Sequence, residues 1–279
     1  MKTCKDHVLS LMLAGVLLVA GTPSSQGYLG ASPLPPGLSA SDVILFEDFE
    51  SPVGLFDDDL SQGTSSVTSV TSFSGTYALE MDNSDDGKFS SRVPLGGAWD
   101  ELYARYMFRV GNHTSACWNS SQHYKNMGFE AGTADCKGGD YKSDGTDCFT
   151  VRSRFVYPYL GVHVESAPFP GKFDDANPVN VADGAWHCYE MRVTLNTPGT
   201  KNGEIRTWID GREKVRNNLE FRTVKSLQIN KWWFTHWSND NWCGPLYLDD
   251  LVISKARIGC PHTLPASVPM APSNLRVVQ

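Results

Sequence analysis

Apolar and polar residues alternate along most of the chain with a period of two. Strict alternation over four to eight residues is typical of a β-strand with one buried face, and amphipathic helical spacing is nearly absent. Turn residues such as Asp210-Gly211 and Pro198-Gly199 separate the alternating runs. The runs are 43–50, 76–81, 101–110, 124–132, 148–157, 159–166, 186–195, 203–211, 226–237 and 246–254. This series of short strands predicts an all-β sandwich of two antiparallel sheets.

The start of the chain has a different pattern. Lys2 and Lys5 precede an apolar run from Val8 to Ala20, and a polar stretch follows it. The run is shorter than the roughly 20 residues that a membrane-spanning helix needs, so residues 1–21 are predicted to be a secretory signal peptide. We therefore expect an extracellular or periplasmic protein that is free of the membrane after cleavage. A retained N-terminal anchor is the alternative.

The rest of the chain divides into one long region between two linkers. Segments 22–42 and 261–279 are rich in proline and serine, whereas 43–260 contains no internal linker. A sandwich of this length is often a single domain, and we expect one here, with two smaller domains as the alternative. The final residues, APSNLRVVQ, resemble the opening strand of a fibronectin type III module.

Six cysteines remain once the predicted signal peptide, which contains Cys4, is removed. Disulfides are the expected state of an even number of cysteines in an oxidising compartment. A zinc cluster is disfavoured because the close Cys-x-x-Cys or His spacing is missing. The sequence does not determine how they pair. The six are Cys117, Cys136, Cys148, Cys188, Cys243 and Cys260.

Charge and missing motifs exclude several functions. The net charge is −7 and no basic run exists, so nucleic acid and anionic membranes are poor partners. No nucleophile elbow, phosphate loop or HExxH motif occurs, and the E-x-D-x-x-E strand pattern of glucanase-type glycosidases is absent. The 8 tryptophans and 10 tyrosines suit both a core and a sugar groove.

Strand parity separates core positions from polar positions on two neighbouring strands. In CFTVRSRFVY, alternation places Thr150, Arg152 and Arg154 on the face opposite the apolar residues. In LGVHVES it does the same for His163 and Glu165. If the two strands form a hairpin, these polar side chains share one surface. A solvated outer sheet with ordinary ion pairs explains the same pattern.

Segments 186–215, 221–237 and 246–254 resemble the C-terminal half of the concanavalin A-like jelly-roll domain of polysaccharide lyase family 14. The resemblance extends over roughly 43–258, and its most specific parts are the NTPG…NGEI…WIDG hairpin and the strand DDLVIS. It implies β-elimination on a uronic acid polymer such as alginate or glucuronan, without a required cofactor. That reaction needs a cation to neutralise the carboxylate, a base to take the adjacent proton and an acid to protonate the leaving oxygen.

The resemblance nominates individual residues. Lys125, in HYKNMGFEAG, matches the family's functional lysine, and Thr150 with Arg152 matches a serine-x-arginine pair on the next strand. Where the family has two tyrosines one residue apart, this chain has His163 and Glu165, and His163 is a candidate base because its ordinary pKa is near neutral. The predicted catalytic residues are Lys125, Arg152 and His163. The predicted substrate contacts on these strands are Thr150, Arg154 and Glu165.

The aromatic segment KWWFTHWSNDNWC adds candidate sugar contacts. Alternation puts Trp233 and Trp237 on one face and Trp232 and His236 on the other. One set belongs to the core, and the other can stack on the apolar faces of sugar rings. Burial of both sets is the alternative. Trp237 and His236 are predicted substrate contacts.

Acidic pairs near both ends of the predicted domain include Asp48 and Asp250. They resemble positions where jelly-roll modules often hold a structural calcium ion, and carboxylate oxygens suit that ion. Paired surface acids explain the same residues.

These observations predict a secreted, monomeric, polysaccharide lyase-like protein that binds and cleaves an acidic extracellular polysaccharide. A noncatalytic carbohydrate-binding protein on the same scaffold is the alternative. The missing tyrosine pair distinguishes the two. A tyrosine supplied from another strand, such as Tyr106, Tyr124 or Tyr141, would favour the enzyme, and a site without one would favour the binder.

Overall fold

A computed structural model describes residues 34–50, 64–82, 88–111, 124–133, 136, 144–156, 158–165, 167–168, 176–237 and 245–261. The predicted signal peptide lies outside these residues, as do most of both terminal linkers. Within the described residues, no helix has the length and apolar character needed to cross a membrane.

The described residues form strands joined by turns and loops. The strands are β1 (Val43–Glu47), β2 (Thr64–Thr68), β3 (Ala78–Asp82), β4 (Lys88–Trp99), β5 (Glu101–Val110), β6 (Tyr124–Gly132), β7 (Cys148–Val156), β8 (Tyr159–Glu165), β9 (Trp186–Thr194), β10 (Gly203–Ile209), β11 (Arg212–Leu219), β12 (Ile229–Trp237) and β13 (Leu246–Ser254). Every strand pairing among them is antiparallel.

The strands form two sheets. The larger sheet has the order β11-β10-β9-β5-β13-β3-β2, with β1 also paired to β13. The smaller sheet has the order β4-β12-β6-β7-β8. The predicted all-β jelly-roll sandwich of two antiparallel sheets is therefore confirmed.

The core lies between the two sheets and is rich in aromatic residues. Trp232 of the smaller sheet is fully buried, and its ring centroid lies 6.3 Å from that of Tyr106 in the larger sheet and 5.1 Å from that of Phe129. Each aromatic side chain removes a large apolar area from water, which makes such contacts the main stabilising term of a sandwich. On β7 and β8 the alternation that predicted the strands also indicated the buried face, whereas on β12 the burial of Trp232 identifies it.

The sequence pattern did not predict three of the strands, and each omission has a physical reason. β2 is short and polar, and β11 (REKVRNNL) is an edge strand with largely exposed side chains. β4 contains Pro94 and two glycines, which are typical of an edge strand, and it is the edge of the smaller sheet. Alternation weakens where one side of the strand is solvent or where proline and glycine interrupt it.

Two disulfides join described residues. Cys136 bonds to Cys148 at the start of β7, and Cys188 of β9 bonds to Cys260 beyond β13. The disulfides expected from the cysteine count are thus present at four of the six positions. Cys117 and Cys243 lie outside the described residues.

Candidate active site

The polar residues of the smaller sheet lie on the face turned away from the core, here called the charged face. On β7, Phe149, Val151 and Phe155 enter the core, which leaves Arg152 and Arg154 on the charged face. The same parity applies on β8, where Leu160, Val162 and Val164 enter the core and His163 and Glu165 do not. The hairpin of β7 and β8 places these polar side chains on one surface, as predicted.

Strand register places one row of residues across the charged face. Arg92 on β4 is opposite Trp233 on β12, which is opposite Gly128 on β6. Gly128 is opposite Arg152 on β7, and Arg152 is opposite His163 on β8. Residues far apart in sequence therefore form a continuous line across five strands.

One carboxylate gathers the three residues predicted to be catalytic. The Glu165 side chain forms ion pairs with the Lys125 ammonium through Oε1 and with the Arg152 guanidinium through Oε2. Nε2 of His163 lies 2.8 Å from Glu165 Oε1. Lys125, Arg152 and His163 therefore converge on Glu165.

A second carboxylate organises the Arg92 end of the row. Nε of Arg92 lies 3.0 Å from Glu130 Oε2, and Nζ of Lys231 lies 3.3 Å from Glu130 Oε1. The sequence pattern did not identify these three residues. For Lys231 and Glu130 an indication was available, because on β12 and β6 they have the same strand parity as Trp233 and Gly128.

Cations outnumber carboxylates on the charged face. Among the residues that the structure describes there, five cationic side chains stand against two carboxylates, although the whole chain carries a net charge of −7. The cations are Arg92, Lys125, Arg152, Arg154 and Lys231, and the carboxylates are Glu130 and Glu165. The face is therefore locally suited to an anion in an otherwise acidic protein.

Burial sets the protonation of this site. Burial lowers the pKa of His163 to about 4, so its imidazole is neutral at pH 7. Burial likewise lowers the pKa of Arg152 to about 10, and the neighbouring Glu165 partly counters this. For Glu165 burial acts to raise the pKa, but the contacts with His163 and Arg152 outweigh it and hold the pKa below its ordinary value. At neutral pH the site therefore holds a neutral imidazole among an ionised carboxylate and two cations.

Trp233 occupies the centre of the row without presenting a free ring face. The guanidinium carbon of Arg92 lies 4.0 Å from its ring centroid and that of Arg152 lies 4.2 Å from it. The indole Nε1 donates to Ser90 Oγ at 2.8 Å. Because cation–π contacts of this kind engage the ring, Trp233 holds the two arginines in place. It is not an open platform for a sugar ring.

The two predicted aromatic-segment contacts have different outcomes. His236 lies on the core face of β12 with Trp232 and Phe234, is fully buried, and its Nδ1 is 3.2 Å from Asn126 Oδ1. It therefore points away from the charged face, and its role as a substrate contact stays a prediction. The side chain of Trp237 lies outside the described residues.

Thr150 and Arg154 flank Arg152 on β7 and are both buried. Thr150 is paired in register with Glu130 and Glu165, and Arg154 is paired with Lys125. Burial lowers the pKa of Arg154. Both side chains are thus on the predicted face, and their roles as substrate contacts stay predictions.

The tyrosine that would compensate for the missing pair is not Tyr106. Its side chain is fully buried in the core, where its hydroxyl lies 2.8 Å from Ser153 Oγ, and burial raises its pKa. The side chain of Tyr124 and the whole of Tyr141 lie outside the described residues. The role of His163 as a base stays a prediction.

Gly128 allows the backbones of β6 and β7 to approach closely beside Arg152. A Cβ at this position would lie 2.0 Å from the carbonyl oxygen of Val151 and 2.5 Å from Cα of Arg152. We expect Gly128→Ala to lower the free energy of unfolding by about 3 kcal/mol, because the obstructing atoms belong to the backbone and cannot rotate away. Urea denaturation measures this change.

Gly199→Ala is the matched control for that substitution. Its Cβ would meet no atom within 4 Å, so only its φ of +80° opposes the change, at about 1 kcal/mol. Equal effects of the two substitutions would contradict the close approach of β6 to β7.

The predicted calcium ligands belong to an acidic cluster that protein donors already engage. Asp48 accepts the backbone N–H of Glu50, and Asp250 accepts the Ser74 hydroxyl at 3.1 Å. Asp249 accepts three backbone N–H groups. In the described ranges, no group of three or more His, Cys, Asp or Glu side chains is arranged to hold a metal ion. Calcium at Asp48 and Asp250 stays a prediction.

The two antiparallel sheets define a jelly-roll β-sandwich protein. Within this class, the sequence model of the family described as Polysaccharide lyase 14 matches residues 176–241. The predicted resemblance to this family is confirmed for this segment. The matched segment spans β9 to β12 and therefore contains Trp233, but it excludes Lys125, Arg152 and His163.

Solved structures of lyases share the fold. An endo-β-1,4-glucuronan lyase from the fungus Trichoderma reesei has a TM-score of 0.54 at 16% identity, over 77% of this chain and 96% of the lyase. The alginate lyase Aly36B, in a mutant complex with an alginate tetrasaccharide, has a TM-score of 0.52 at 16% identity, over 66% and 84%. The alginate lyase vAL-1 from Chlorella virus gives 0.51 at 16%, over 70% and 90%. A search of curated proteins gave no match.

Proposed function

We propose that this protein binds an acidic, uronate-containing polysaccharide on its charged face and cleaves it by β-elimination. The observation that carries the proposal is the excess of cations on one sheet face of a chain whose net charge is −7. Polysaccharide lyase-like function follows from the family match, and the alginate and glucuronan lyases of the same fold support a uronate polymer as substrate.

The accessible charges support binding of a polymer. Lys125 exposes 16% of its side chain on one side of Trp233, while Arg92 exposes 14% and Lys231 exposes 15% on the other. A chain with a carboxylate on each sugar can contact both groups of cations at once. Binding of this kind weakens as salt rises, because part of it is electrostatic.

The groups around Glu165 can supply each part of the elimination. Arg152 neutralises the substrate carboxylate, which makes the proton on the adjacent carbon more acidic. His163, as a neutral imidazole, takes that proton, and the electron pair of the broken C–H bond forms the C4–C5 double bond as the C4–O glycosidic bond breaks. The Lys125 ammonium gives a proton to the leaving oxygen. The products are a new reducing end and an unsaturated uronate.

A noncatalytic carbohydrate-binding protein is the second candidate, and one observation favours it. The His163 side chain has no exposed surface, and Glu165 lies against it. A substrate proton reaches the imidazole only if Glu165 moves. If Glu165 stays in place, the accessible cations still bind a polyanion, but no base is available.

Export from the cytoplasm belongs to the same proposal. Cys136–Cys148 and Cys188–Cys260 are disulfides, which persist in oxidising compartments and are rare in the cytosol. An extracellular polysaccharide is a substrate that only an exported protein meets.

The test is incubation of the purified protein with alginate, glucuronan, hyaluronan and pectate while ultraviolet absorbance is followed. Elimination creates a conjugated unsaturated uronate, so absorbance rises with the correct polymer. A flat trace together with retention on an immobilised polyuronate would establish the binding protein instead. A flat trace without retention would reject both candidates.

A further inference from the structure

Glu165 makes the contacts that a substrate carboxylate would need. Its two oxygens are taken by the Lys125 ammonium and the Arg152 guanidinium, and His163 lies 2.8 Å from one of them. A uronate carboxylate has the same charge and the same planar pair of oxygens, so it matches the same donors. Both carboxylates cannot occupy these donors at one time.

Glu165 also covers the two residues beneath it. Its side chain is 11% exposed, whereas that of Arg152 is 3% exposed and that of His163 is not exposed at all. A ligand that approaches from solvent therefore meets Glu165 and Lys125 first. Access to Arg152 and His163 requires the Glu165 side chain to leave.

The position of Glu165 in the fold allows such a movement. It is the last residue of β8, and β8 is the edge strand of the smaller sheet. Its backbone is held by pairing with Thr150, so a change of side-chain rotamer is sufficient and the sheet is not disturbed. The cost of moving is the loss of its ion pairs, which an incoming carboxylate restores.

We propose that Glu165 is an internal ligand that occupies the uronate carboxylate position and that substrate binds by displacing it. This inference rests on the proposed function. It makes Glu165 a specificity-determining residue, because a carboxylate can replace its contacts and a neutral sugar cannot. Neutral polysaccharides are then excluded by the intact cluster of Glu165, Lys125, Arg152 and His163.

The experiment compares wild-type protein with Glu165→Gln for retention on immobilised alginate and glucuronan. Glutamine keeps the shape of the side chain and removes the competing charge. We expect about tenfold tighter binding, the size of one charge-assisted hydrogen bond. Glu165→Asp keeps the charge but shortens the reach, so we expect its affinity to lie between the two. An intermediate affinity of Glu165→Asp guards against an effect that comes only from misfolding of Glu165→Gln. Thermal unfolding checks that each protein is folded.

Glu213→Gln is the matched control. Glu213 lies on β11 of the larger sheet, where it pairs with Arg206 at 3.1 Å, so its substitution makes the same change in net charge away from the charged face. If wild-type protein binds and Glu165→Gln binds no more tightly than Glu213→Gln, the internal-ligand inference is overturned while the proposed function stands. If no variant binds any polyuronate, the proposed function itself fails.

Discussion

Arg152→Ala is expected to reduce kcat/KM on the active polyuronate by about 100-fold to 1000-fold. Arg152 is the most buried cation that contacts Glu165, with 3% of its side chain exposed. A charge interaction in such a water-poor site is stronger than at the surface, and loss of one group that stabilises developing negative charge typically has this effect. The rate of absorbance increase from the unsaturated uronate measures it.

Two further variants separate charge from geometry. Arg152→Lys keeps the positive charge but loses the planar contact with Trp233, so we expect partial recovery of activity. Arg206→Ala removes an arginine from the outer surface of β10, where it pairs with Glu204 and Glu213, and should leave activity unchanged. Equal losses for Arg152→Ala and Arg206→Ala would show that only the overall charge matters and would contradict a cationic site at Arg152.

His163→Gln is expected to lower kcat by about 100-fold or more while KM and binding change little. General-base catalysis commonly contributes 10²–10⁴-fold, and a base that does not hold the substrate carboxylate acts on the chemical step alone. His187→Gln is the control, because His187 lies on the larger sheet between Asp183 and Asp210. Wild-type kcat in His163→Gln would remove His163 from the mechanism.

The pH profile gives an independent test of the same role. A base acts only when deprotonated, so activity falls as pH falls through its pKa. Burial lowers the pKa of His163 from 6.5 to about 4. The acid limb of kcat/KM, which reports the free enzyme, is therefore expected near pH 4 rather than near 6.5. An acid limb near 6.5 would instead indicate a solvent-exposed histidine as the base.

Arg152→Ala and His163→Gln together also distinguish the enzyme from the binding protein. For an enzyme, Arg152→Ala impairs binding and rate, whereas His163→Gln impairs the rate alone. For a binding protein no rate exists, and His163→Gln leaves retention on a polyuronate unchanged. This difference has a chemical reason. Arg152 attracts the substrate carboxylate whether or not a reaction follows, whereas a base acts only when a proton is transferred.

The sequence by itself predicted most of the fold because alternation records burial directly. A half-buried strand must place apolar side chains on every second position, so β5, β7, β9 and β13 were readable without any knowledge of their partners. It failed where this constraint is weak, as in the edge strands β4 and β11. Parity on β12 left open which face was core, and burial of Trp232 decided it.

For the candidate site, the sequence determined chemical type and strand parity, and the tertiary structure decided proximity. Parity and the family resemblance nominated Lys125, Arg152 and His163, which do converge on Glu165. The row that adds Arg92 and Trp233 depends on the order β4-β12-β6-β7-β8, which joins segments from distant parts of the chain. Sheet order and register arise from long-range packing of the whole sandwich, so a local pattern carries no record of them.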